Sequence, residues 1–331
     1  MEITLKVSKK KKSKIVIKDY SPKLDEAEYV TTRMDAPGKF TFTLIEDSGI
    51  SIEMGSCVRV KLNKTDFFKG YVFSAERSKN RTVKYVAYDQ LRYLKAKASY
   101  TFVAMSLPEI IKQMAADFNL TVGTLVDTGY KIPSLIVENE SLLDVIFDAL
   151  AKTIIETGKI FVFYDDYGKL TLKEAKQHKW NRLIGEKSLL SDYQYKRSID
   201  SDTYNRVKLA RPNKTTGKAD TFVYDDSDNI KQWGLLQYYD TVDENMNNAQ
   251  IDEMCKNYLK YYNRVWQTMS LKNIIGHPKI KAGWIIPVMI SEVEATDVTR
   301  FFLAEKVTHK LKGNTHTMNI EVKNFNDLGV S

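Results

Sequence analysis

"TDFFKGYVFSAERSKNRTVKYVAYD", residues 65–89, alternates apolar and polar side chains through two runs parted by a polar turn. Alternation at period two on both sides of a short turn is the pattern of an antiparallel hairpin with one buried face. The stretch holds no nucleophile, base and metal ligand together, so it reads as a structural element rather than a reaction centre. Upstream, Phe40, Phe42 and Leu44 alternate with Lys39, Thr41 and Thr43 after the turn Ala36-Pro37-Gly38, and Val58-Arg59-Val60-Lys61-Leu62 follows. Short strands at this spacing predict a small antiparallel barrel or sandwich at the start of the chain.

Downstream the period changes. Ser106 and Glu109 have the S-x-x-E spacing of a capping box, and Ile110, Ile111, Met114, Ala115 and Phe118 share one helical face, which predicts a helix over 107–118. A second helix is expected from Ser141, with Asp144 in its first turn and Gly158 placed to end it. "KIFVFYDDYGKLTLK" adds a hairpin turning at Asp165-Asp166-Tyr167-Gly168. Strands return from Ser188, break over Pro212–Gly217, and give way to a helix near 247–263. On that helix Ile251, Met254, Cys255, Tyr258, Leu259 and Tyr262 form one stripe, as core packing requires. Strands then resume from about 268 to 325.

A repeat lies in the strands. Gly55 is followed at plus three, five and seven by Val58, Val60 and Leu62; Gly283 is followed at the same offsets by Ile286, Val288 and Ile290. After each come a polar loop, a Phe-Phe pair (Phe67-Phe68, Phe301-Phe302), a strand, a turn and a last strand. The first Phe precedes that last strand by 16 residues to Val83 and by 17 to Met318. Generic alternation and duplication both account for this. Duplication would put two related barrels in one chain, and such repeats suit a ring of heterologous contacts.

The chain has 331 residues, enough for two to four cores. Its formal charge of +8 allows an anionic partner without naming one, because the lysines are scattered. The dense run Lys9–Lys12 with Lys14 reads as an exposed hairpin tip rather than a nucleic-acid or targeting signal. Cys57 and Cys255 stand far apart without C-x-x-C spacing, so neither a disulfide framework nor a zinc site is indicated, and folding in a reducing cytoplasm fits. No apolar run reaches the roughly 18 residues of a membrane-spanning helix, and the N-terminus lacks a signal-peptide core.

Candidate chemistry is sparse. His178, His277, His309 and His316 show no metal-binding spacing, although His309 and His316 could meet across the turn KLKGNTH. Asp165-Asp166 and Asp225-Asp226 could supply a glycosidase-like carboxylate pair, but both sit in contexts where Asp bonds the local backbone. Tyr85, Tyr88, Tyr93 and Tyr100 near Lys84, Arg92, Lys95 and Lys97 could stack single-stranded nucleic acid, or simply fill an interface. Catalytic, cofactor and metal sites are therefore not expected.

The order and spacing of FFKGYVFSAERS with VAYDQLRYL, SLPEIIKQMA, ENESLLDVIFDAL, TGKIFVFYDDYGKLTL, YKRSIDSDTYNRVKL and FFLAEKVTHKLKGNTHTMNIEV, from about residue 15 to 325, resemble the phage tail baseplate hub proteins of the late control D type. Within them the match is to the XkdQ/YqbQ-like hubs of contractile tails and tail-like bacteriocins. The resemblance implies a mainly β, α+β chain with two tube-type β-barrels: 1–98, then a discontinuous second over 188–212 and 276–325. An α+β domain at 99–187 and a helical insertion at 213–275 would pack outside. It further implies a homotrimer presenting six barrels around a channel, made in the bacterial cytoplasm and carried in the tail baseplate. Its partners would be the inner tail tube, the central spike and other baseplate proteins, with DNA or tape-measure protein passing through. Phe67, Tyr71 and Phe301 are the interface candidates. The chain ends six residues after Phe325, which argues against an appended wall-degrading module. The rival functions are a tail-associated cell-wall hydrolase and a nucleic-acid-binding β-barrel protein.

Overall fold

Where apolar side chains alternate, the chain forms strands, and all but the exposed β-strand at Lys14–Asp19 among the first seven bury apolar side chains. The computed structural model describes residues 1–11, 14–46, 50–185, 192–214, 217–289 and 300–324. Its first seven strands are β1 (Ile3–Lys11), β2 (Lys14–Asp19), β3 (Leu24–Thr32), β4 (Lys39–Ile45), β5 (Cys57–Leu62), β6 (Thr65–Arg77) and β7 (Thr82–Tyr88). They pair in the order β3-β4-β7-β6-β5-β1-β2. Phe40, Phe42, Leu44, Val58, Val60, Val83 and Tyr85 point into one core, while the intervening lysines and threonines face water. β1 and β2 form a hairpin in which Lys11 opposes Lys14, and Lys12, expected from the sequence at its tip, lies outside the described residues.

The middle of the chain is helical where the spacing turns to three and four. β8 (Lys97–Ser106) pairs with β10 (Lys131–Ser141), and β9 (Val122–Leu125), β11 (Phe161–Asp165) and β12 (Leu170–Glu174) make a small sheet. Helix α1 (Leu107–Asp117) starts where the Glu109 carboxylate accepts from Ser106 N at 2.8 Å and Ser106 Oγ at 2.7 Å. Helix α2 (Leu142–Thr157) ends at Gly158, whose φ of 62° is the left-handed cap conformation a glycine adopts freely. Both helices bury their apolar faces in a second core with Phe147, Val162 and Phe163.

β13 (Ile184–Gly185) and β14 (Asp192–Ser198) lead into an inserted unit: β15 (Arg206–Asn213), β16 (Lys218–Asp225), α3 (Ser227–Trp233), β17 (Gln237–Thr241) and α4 (Asn248–Tyr262). The chain then closes with β18 (Trp266–Ile275), β19 (Ile285–Met289), β20 (Arg300–Lys312) and β21 (Thr315–Asn324). Two expected boundaries move. β15, assigned from sequence to the second barrel, pairs with β16 and β17 in a separate sheet and packs Val207 and Leu209 against Ile251, Cys255 and Tyr258 of α4. β18, assigned to the insertion, joins the large sheet beside β21. Alternation is the same in both strands, and it says nothing about which partner each will find.

The large sheet holds 13 strands among the described residues, and its order repeats. Strands β3-β4-β7-β6-β5 on one side correspond to β14-β18-β21-β20-β19 on the other, each set taken in the same chain order. The ladder details correspond too. Gly55 N donates to Val72 O at 2.8 Å and Gly283 N to Ala304 O at 2.7 Å. A bulge follows at Phe73 in β6 and at Glu305 in β20. The two glycines have φ of 75° and 87°. Ile290, and with it residues 291–299, lies outside the described residues.

Candidate functional site

The two halves of the repeat are joined edge to edge. β20 pairs antiparallel with β3 from Lys306 opposite Thr32 to Lys312 opposite Glu26. Just beyond the ladder Arg33 Nε donates to both Glu305 carboxylate oxygens at 3.0 Å, and Arg33 N donates to Glu305 O at 2.8 Å. One guanidinium N–H is thus shared between both oxygens of the carboxylate, a charge-assisted contact stronger than a neutral hydrogen bond. On the inner side Ala282 N donates to Thr31 Oγ1 at 3.0 Å, tying the loop before β19 to β3.

Under this joint sits a buried polar cluster. His309, fully buried, stacks on Tyr29 at 6.1 Å and meets the edge of Phe67 at 5.1 Å. His309 Nε2 lies 2.8 Å from Ile280 O, a carbonyl that can only accept, so Nε2 carries the proton. Nδ1 of the neutral ring is then the acceptor for His316 Nε2–H at 2.9 Å. Burial first, and then the neighbouring His316, push the His309 pKa down to about 3; burial pushes His316 down to about 4. Both rings stay uncharged at neutral pH. The turn between them does bring them together, as their spacing allowed, and both serve packing and hydrogen bonding.

Two carboxyls lie nearby. Asp89 accepts from Gly38 N at 2.8 Å and from Leu91 N at 3.0 Å, and burial, then the Asp165 charge, raises its pKa well above the ordinary value. Burial also raises Asp165, whose Oδ1 accepts from Gly168 N at 2.5 Å inside the β11–β12 turn. Lys281 Nζ approaches Asp165 O at 3.3 Å. The second acidic pair is engaged as well: Asp225 grips Arg206 through two 2.6 Å bonds, and Asp226 caps α3 by accepting from Asp228 N and Asn229 N. Asp165, Asp225 and Asp226 thus hold backbone or arginine. Among the described residues no three His, Cys, Asp or Glu side chains gather as metal ligands.

The opposite, outward face of the joined sheet is polar. A shallow cleft of about 430 Å³ runs across it, lined by Glu26, Glu28, Thr41, Lys84, Lys310 and Lys312 among others. Charges of both signs alternate with hydroxyls here, a surface that wets readily and holds no single strong field.

The interface candidates fall in different places. Phe67 is 0% exposed and is enclosed by Tyr29, His309 and His316, so it is a packing residue of its own chain. Phe301 is half-buried with the Lys179 ammonium 3.8 Å from its ring centre. Tyr71 belongs to a partly exposed aromatic cluster, 5.6 Å from Tyr93, with Phe73 5.8 Å from Tyr93 and Arg92 over Phe73. Tyr85, part of the tyrosine set considered for nucleic acid, is core at 2% exposure. Tyr29, Asp89, Lys281 and the Arg33–Glu305 pair escaped sequence reading, since each acquires its role from a partner distant in the chain.

Comparison with known proteins accounts for the arrangement. A family model described as YqbQ-like matches residues 27–323. YqbQ of Bacillus subtilis (strain 168) is 34% identical over 309 residues, 90% of this chain and 92% of that protein. The phage-like element PBSX protein XkdQ of the same organism is 32% identical over 310 residues, again 90% and 92%. Among solved structures, the 43 kDa tail protein of prophage MuSo2 from Shewanella oneidensis superposes with a TM-score of 0.69 over 99% of this chain and 100% of its own, at 14% identity. The fold is that of phage tail proteins, and the chain belongs to the YqbQ-like family.

Proposed function

We propose that this protein is the structural hub of a contractile phage tail or tail-like particle: a homotrimer whose ring joins the inner tail tube to the central spike. What supports the reading most is the repeated strand order, β3-β4-β7-β6-β5 and β14-β18-β21-β20-β19, joined laterally at β20–β3. Two equivalent units per chain let three chains present six positions, which is what a junction between sixfold and threefold parts requires. The first tube-type unit covers residues 1–98. The second takes β14 and β18–β21, with the α+β unit and the β15–α4 insertion outside the ring.

In this reading the polar face carrying Thr41, Lys84 and Lys310 lines the channel, because its mixed charge and hydroxyls let DNA or tape-measure protein pass without sticking. The function is mechanical, and the carboxylates engaged above do structural work. Membership of a family that includes a phage-element protein agrees with it. The test is electron microscopy of the full chain, alone and mixed with its neighbouring tail tube and spike proteins. A closed ring with threefold symmetry and six similar lobes is the expected result, and a compact single chain under all these conditions would overturn the proposal.

A further inference from the structure

Resting on that ring reading, we propose that the next copy of this chain docks on the edge of β6 over Ser74–Arg77, through its β14 strand, Asp192–Ser198, repeating between chains the joint that β20 and β3 make within one. The equivalences follow strand by strand from the ladders. Val72 and Ala304 accept from matching glycines, and the bulges at Phe73 and Glu305 carry the match on, so Glu76 stands where Thr308 stands. On the other side Tyr29 opposes Phe40, and Tyr195 opposes Met269, in corresponding strands, so Lys196 stands where Val30 stands. Thr308 opposes Val30 in the internal joint. Glu76 of one copy therefore opposes Lys196 of the next. In the same register Ser74 meets Ser198.

Three further observations favour a second copy as the occupant. The described β6 ladder with β5 stops at Tyr71, although β6 runs on to Arg77, and β18 is the one strand beside β14 among the described residues. Burial is deficient on the β6 edge: Phe73–Arg77 are all exposed, whereas Val307 and His309, the counterparts of Ala75 and Arg77, are 0% exposed. The aromatic cluster of Tyr71, Phe73 and Tyr93 flanks this edge, with Phe73 37% and Tyr93 38% exposed, and offers apolar area beside the charge pair. An acid opposite a base across an antiparallel pair stabilises it, and like charges there oppose it.

Cysteine cross-linking of the full chain tests the register. The double variant Glu76→Cys/Lys196→Cys places its thiols directly opposite one another across two chains. Glu76→Cys/Arg197→Cys shifts one thiol to the other face of the sheet, and its cross-linking is expected to be at least about fivefold lower. Covalent three-chain rings from the first variant are the expected outcome. Charge exchange gives a second readout: Glu76→Lys and Lys196→Glu should each weaken association about tenfold, and the double exchange should restore most of it. An assembled ring in which the two cysteine variants cross-link equally overturns this edge pairing and leaves the hub reading standing. A chain that remains single at every concentration, alone and with tail tube and spike proteins, overturns both.

Discussion

Gly70→Ala is expected to destabilise the chain by about 3 kcal/mol or more, the upper range for forcing atoms into a packed region. A Cβ at Gly70 would stand 2.2 Å from Tyr88 O and 2.7 Å from Tyr88 C, and 2.4 Å from Phe68 Cζ. The phenyl ring is itself buried, and the backbone oxygen belongs to β7, which pairs with β6 beside that point. Relief therefore requires the two strands to part. The same substitution at Gly55 meets nothing within 4 Å, and only its φ of 75° resists a side chain, a cost of about 1–2 kcal/mol. Gly283→Ala combines a φ of 87° with a contact of 2.3 Å to the buried Val162 Cγ1, so it should exceed Gly55→Ala although the two glycines hold equivalent places. Urea unfolding of the three full-length variants would rank them. A Gly70→Ala midpoint indistinguishable from wild type would refute the close packing of β6 on β7.

Much of this packing was legible beforehand, and the reasons divide along range in sequence. The β6–β7 hairpin, the Ser106–Glu109 cap and the Gly158 stop depend on neighbours within a few residues, so their pattern carries their structure. The kinship of Gly55 with Gly283 was visible because both stand at the same spacing from the apolar residues of the strand that follows. The β20–β3 joint was not visible, since Thr308 and Val30 are far apart in the chain and alternation fits any edge. The exchange of β15 for β18 has the same cause. The short α3 escaped because seven residues scarcely establish a helical period, and its cap, Asp226, looked like one more turn aspartate. Of the candidate site, the His309–His316 encounter could be anticipated from a single hairpin. The packing of Phe67 against both rings depends on β6 and β20 meeting in space, which no local pattern encodes.

Those histidines give the second large effect, a loss of stability in acid. In the unfolded chain a histidine titrates near its ordinary value of about 6.5, whereas burial holds His309 down to about 3 and both His178 and His316 to about 4; His277 is lowered too, first by burial. A depressed base favours the folded state fully above pH 6.5, and that contribution drains away as pH falls toward the folded value. Asp89 and Asp165 act with the opposite sign. Burial raises them, so what they contribute is present in acid and lost as pH rises. The net curve mixes both, and a single substitution separates them. His309→Gln can still donate to Ile280 O and accept from His316 Nε2, yet it cannot bind the proton. Between about pH 4.5 and 6 it should remove close to one proton from the difference between unfolded and folded states, changing the slope of unfolding free energy against pH by about 1.4 kcal/mol per pH unit. Wild type and variant compared by urea unfolding across that window give the answer directly. Parallel curves would mean that His309 is already protonated in the folded chain, so that its Nδ1 donates to His316 Nε2 instead of accepting from it.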